Sequence, residues 1–98
     1  MKFYLIEGTI INEEIMSEEI MKEHIAYTSQ AMAQGRIFLS GLKSDMSGGV
    51  FLIKAECQED VQEYLDQEPL NMQGIQSYRI LPFDIHYVEE HAKEWFEL

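Results

Sequence analysis

His24, Arg79 and Glu7 are ionisable side chains set inside otherwise apolar stretches. In "KEHIAYTSQAMAQGRIFLSG", Lys22 to Gly41, His24 falls in line with Ile20, Tyr27 and Ala31 at helical spacing. A titratable ring on an apolar face is either a packed core histidine or half of an acid–base pair, because an imidazole gains and loses its proton near neutral pH. The other reactive residue types read as less promising. His86 and His91 are five apart, not the i, i+4 of two helical ligands, so they read as an exposed tail and no metal site is expected. Cys57 stands beside acids, which disfavour a thiolate and make it a poor nucleophile. "SGG" at 47–49 lacks the Lys-Ser/Thr of a phosphate loop, and "GRIFLSG" is no Gly-x-Ser-x-Gly elbow. Ser40 therefore reads as structural or substrate-facing.

The elements that must position these groups follow from periodicity. Lys2 to Ile10 is rich in aromatic and β-branched residues and predicts a first strand. Ser17 caps the helix that follows, Glu18 and Glu19 suit its positive end, and Gly35 ends it near Gln34. Ile20, His24, Tyr27 and Ala31, with the adjacent row Met21, Ile25, Thr28 and Met32, make a wide apolar stripe expected to lie on a sheet. "RIFLSGL" and "GVFLIKAE" are strands joined by the turn residues of "KSDMSGG", an antiparallel hairpin. Val61, Tyr64 and Leu65 mark a second helix that Pro69 stops, and "IQSYRILPFDIHYV" is the fourth strand, with Pro82 at an edge or bulge. The order β–α–β–β–α–β predicts an α+β, ferredoxin-like antiparallel sheet with both helices on one face. The other face needs a cover, and a second copy of the chain is the expected one, giving a homodimer. Val88, Ala92, Trp95 and Phe96 predict a short amphipathic C-terminal helix, docked on its own sheet or on the partner. The domain is expected over 1–86 and the tail over 87–98.

The 98 residues suit one domain, and 46% apolar with 26% charged residues is globular composition. The net charge of −11, from 7 basic and 18 acidic residues, repels phosphate, so neither nucleic acid nor an anionic membrane is an expected partner. One cysteine excludes an internal disulfide. The N-terminal apolar run, broken by Glu7, is too short for a signal peptide, and a cytoplasmic location is expected.

Taken in order, His24, Gly35 to Gly41, Gly48-Gly49, the acidic helix Glu59 to Leu65, Glu68-Pro69, Gly74 and Pro82-Phe83 resemble the YCII-related family over about residues 2 to 86. The resemblance implies a ferredoxin-like fold dimerised sheet to sheet into an α/β barrel. It also implies a pocket in each subunit built on a His–Asp pair. The histidine carries over to His24. The family aspartate, in its Asp-Pro step, falls on Glu68, which keeps the carboxylate with one more methylene; Asp66 is the alternative partner. Such a carboxylate fixes the imidazole tautomer and leaves the second ring nitrogen as acid or base. Ser40, Arg79 and Tyr27 are the candidate substrate contacts, and Tyr27, Phe38 or Tyr78 are candidates for burying the pair. The chemistry implied is cofactor-independent proton transfer, isomerisation or elimination on a small cyclic or aromatic molecule. Two other readings use the same residues: a ligand-binding or regulatory module with His24 as polar anchor, or an assembly domain with His24 in the core and no pocket beside it.

Overall fold

The computed structural model describes residues 1–96. Its elements are β1 (Lys2–Ile10), α1 (Glu18–Ala33), β2 (Ile37–Leu42), β3 (Gly49–Ala55), α2 (Gln58–Asp66), α3 (Pro69–Met72), β4 (Gln76–Phe83) and α4 (Lys93–Phe96), with 3-10 turns at Glu13–Ile15 and Glu90–Ala92. The four strands form one antiparallel sheet in the order β2-β3-β1-β4. This is the expected ferredoxin-like α+β arrangement.

Alternation along each strand separates two faces. Tyr4 and Ile6 of β1, with Phe51, Ile53 and Ala55 of β3, point toward the helices and meet Val61, Tyr64 and Leu65 of α2. Ile6, Ile53 and Val61 are fully enclosed, and this cluster is the core. Ser17 caps α1 by accepting the Ile20 N–H at 3.1 Å, and Gly35 takes the left-handed φ of 75° that turns the chain into β2. Pro82 lies on β4, which pairs only with β1, so its missing N–H costs no ladder bond.

Three expectations change. The wide stripe of α1 is not buried: Ala31 is its one buried residue, Ile25 is 56% exposed, and Met21, His24 and Thr28 line a cavity between the helix and the sheet. Pro69 does not stop α2, which ends at Asp66. It occupies the first turn of α3, where its missing N–H is tolerated. β4 ends at Phe83, short of the expected Val88.

The opposite sheet face carries Leu5, Glu7, Val50, Arg79 and Leu81, which line a shallow groove with Lys43. One end of that face is covered by the tail. Phe38 is the extra residue of a β2 bulge, and it meets Trp95 at 4.9 Å between ring centroids. Phe3 packs on Phe96 at 5.3 Å, and Lys54 Nζ donates to the Trp95 carbonyl at 2.7 Å. The tail thus docks on its own sheet through Trp95 and Phe96. Of the expected tail helix, residues 97 and 98 lie outside the described residues.

Candidate active site

Glu68 sits in the short step between α2 and α3. It caps α3, its Oε2 accepting the Leu70 N–H two residues on. That bond turns the side chain inward, and the residue is 1% exposed. α1 runs past α3 and presents His24, whose Nδ1 lies 2.8 Å from Glu68 Oε1. Tyr78 of β4 donates its hydroxyl to the same Oε1. Gln76 Nε2 donates to Tyr78 Oη at 2.8 Å, and the Gly49 N–H donates to Gln76 Oε1 at 3.1 Å.

Burial by itself pushes the Glu68 carboxyl up. The hydrogen bonds from His24 and Tyr78, the charge of His24 and the Leu70 amide outweigh it, and the group is held below the usual carboxylate range. Glu68 is therefore an anion at neutral pH. Burial, and then the bond to Glu68, push the Tyr78 phenol far up, so it stays a proton donor. An ionised carboxylate only accepts, so the neutral His24 ring donates from Nδ1 and carries its lone pair on Nε2. Nε2 has no partner among the described residues.

The ring borders a cavity of about 320 Å³. Its walls are largely apolar, with Met16, Met21, Met46, Leu42 and Phe51 among them, and its polar groups gather around His24: Thr28, Ser40, Glu68, Gln76 and Tyr78. No lysine or arginine lines it among the described residues. The arrangement can take a proton at Nε2, hold the resulting imidazolium against Glu68, and return the proton to a second atom of the same ligand. Among the described residues no group of three or more His, Cys, Asp or Glu side chains could hold a metal ion, and no helix is long and apolar enough to cross a membrane.

The sequence model of the YCII-related domain matches residues 1–84. The chain belongs to the YCII-related family. No curated protein matches the sequence significantly. Among solved structures, the 5-chloro-2-hydroxyhydroquinone dehydrochlorinase of Burkholderia phenoliruptrix, in complex with 2,5-dihydroxybenzoquinone, superposes with a TM-score of 0.62 at 16% identity, over 84% of this chain and 93% of that one. At that identity the likeness shows the fold.

In this YCII-related chain the structure brings together His24, Glu68 and Ser40, which share the cavity. Asp66 is not the partner of His24; it is exposed and accepts from Gln62 Nε2 at 2.9 Å. Arg79 is on the wrong face. Its neighbour Tyr78 points to the helices, so strand alternation sends Arg79 to the open face, where Nη2 pairs with Glu7 Oε1 at 3.0 Å. Lys43 joins them, 2.9 Å from Glu7 Oε2, and together the two cations hold the Glu7 carboxyl below its usual range. Tyr27 also misses the cavity: its ring stacks on Tyr64 at 4.6 Å and its hydroxyl donates to the Tyr64 carbonyl at 2.7 Å. The position three after His24 is turned roughly 60° one way around the helix, and the position four after it roughly 40° the other way. Thr28, not Tyr27, follows His24 to the cavity wall. Phe38 meets the tail instead. Tyr78 buries the pair as well as bonding it, while Gln76 and Thr28 carried no signal in the sequence, looking like ordinary strand and helix residues.

Proposed function

We propose that this protein is a small acid–base enzyme that needs no organic cofactor and moves a proton on a small cyclic or aromatic ligand. His24 Nε2 is the base, Glu68 orients the ring and balances its charge, and Ser40 contacts the ligand. The observation that carries this reading is the His24–Glu68 bond at the polar end of an otherwise apolar cavity. A core histidine would have no such cavity beside it. The absence of a cation among the described lining residues favours an uncharged ligand, such as a phenol or an enolisable ring ketone, over a carboxylate. The dehydrochlorinase that shares the fold acts on a hydroxylated ring, which supports the same class.

The protein acts as a homodimer on this reading, two open sheet faces meeting around Leu5, Val50 and Leu81. Leu39 and Leu81, respectively 48% and 46% exposed, are apolar surface that such a contact removes from water.

The test is solvent hydrogen exchange. A panel of dihydroxybenzenes, hydroxyquinones and cyclic ketones is incubated with the protein in deuterium oxide, and ring-hydrogen exchange is followed by NMR. Wild type exchanges at least one member, and His24→Ala slows that exchange by about 100-fold or more. Panel members that shift the His24 ring resonances without ever exchanging would contradict catalysis and make the cavity a ligand-binding site.

A further inference from the structure

The hydrogen bonds around Glu68 form a chain with a direction, and the direction is set at its far end. A main-chain N–H can only donate, so the atom of Gln76 facing Gly49 N–H is the amide oxygen. The other end of that amide is its NH₂, which can only donate, and it meets Tyr78 Oη at 2.8 Å. The single Tyr78 proton is then directed at Glu68 Oε1. That oxygen is the one that also receives His24 Nδ1, while Oε2 is held by the Leu70 N–H. Every bond in the chain points toward the carboxylate.

The fold makes room for this chain. Gly8 of β1 lies beneath it, and a Cβ there would come within 2.7 Å of the Gln76 side-chain carboxamide and 3.0 Å of the Tyr78 ring. The absence of a side chain at residue 8 therefore lets both groups sit between the sheet and Glu68.

We infer that Gln76 and Tyr78 are positioning residues: through the chain Gly49 N–H, Gln76, Tyr78, Glu68 they fix which nitrogen of His24 is protonated and limit how strongly Glu68 pulls on that proton. This rests on the acid–base reading above and deepens it. Tyr78 and His24 share one oxygen. The phenol draws charge from that oxygen, leaving less for the imidazole. Tyr78 thus restrains the pair as well as holding it.

Other titratable groups around the ring are few. α2 contributes Tyr64, over whose ring the Arg36 guanidinium lies at 5.0 Å. The step before α3 contributes Glu68 and β4 contributes Tyr78, while the β2 and β3 residues lining the cavity are not ionisable. On α1 itself Lys22 and Glu23 flank His24 but are exposed. Glu68 and Tyr78 are the two that bond in sequence to the ring.

The experiment is an NMR titration of the histidine rings in wild type and Tyr78→Phe, with the tautomer read from ring nitrogen shifts. In wild type, neutral His24 is expected to be protonated on Nδ1. In Tyr78→Phe, Oε1 serves His24 alone, and the His24 titration is expected to move to higher pH by roughly half a unit or more. A merely structural tyrosine predicts the opposite sign, because a loosened carboxylate bonds the ring less. A wild-type proton on Nε2, or a Tyr78→Phe titration that stays put or moves to lower pH, would overturn the inference; the tautomer measurement needs no variant to fold. Glu68→Gln separates the two levels. If it changes His24 while Tyr78→Phe does not, the pair stands and the relay falls.

Discussion

Glu68→Ala is expected to destabilise the protein by about 3–5 kcal/mol, measured by urea denaturation at neutral pH. The substitution strands the Leu70 N–H and the Tyr78 hydroxyl, two donors enclosed with Glu68, and releases His24 Nδ1. Each buried donor without an acceptor costs about 1–3 kcal/mol, whereas His24 is exposed enough to recruit water. Glu68→Gln keeps one carbonyl oxygen and is expected to cost less. The same group gives a pH signature. Its folded carboxyl lies below the ordinary range and returns to about 4.3 in the unfolded chain. The stabilisation from ionised Glu68 is complete above that unfolded value and is lost as pH falls through the folded one. Wild type should therefore lose stability on acidification more steeply than Glu68→Gln. Equal slopes in the two proteins would mean that Glu68 is not held ionised in the fold.

Leu81→Lys is expected to turn a dimer into a monomer, seen as a halved mass in light scattering at micromolar concentration. Leu81 stands on the open face in the groove with Leu5 and Val50 and does not line the His24 cavity. An ammonium group trapped there between two sheets, with the Arg79 and Lys43 cations close by, costs about 3–5 kcal/mol, or roughly 150- to 4000-fold in dimer affinity. The monomer itself should stay folded, because position 81 is solvent-exposed within one chain. A wild type that is monomeric at this concentration would rule out a dimer through this face. An unchanged dimer in Leu81→Lys would place the contact on another surface.

The residues of this chain differ in how plainly they announce their places. α1 was readable because Ser17, Glu18 and Gly35 are local signals that act within one turn of the chain. The sheet was readable because β-branched and aromatic runs recur with short turns between them. The location of Arg79 was not, since it depends on which parity of β4 faces the helices. That parity is settled by pairing Ile6 with Ile80 and Glu7 with Arg79, a contact across more than 70 residues of sequence. Once it is known, Tyr78 and Gln76 follow at two-residue spacing. Tyr27 lies off the cavity for a related reason: a wide apolar stripe on α1 does not say which of its edges borders the cavity. Glu68 came from the family resemblance alone. Its inward turn depends on Pro69 starting a new helical turn instead of ending the old one, so that the carboxylate caps Leu70 and still reaches His24.

On this reading Glu68 holds His24 as a working acid–base group. The decisive measurement is a titration of the His24 ring resonances in wild type and in Glu68→Gln. Neutralising Glu68 is expected to move the His24 titration to lower pH and to release Nδ1 from its fixed protonation. Superimposable titration curves in the two proteins would contradict it.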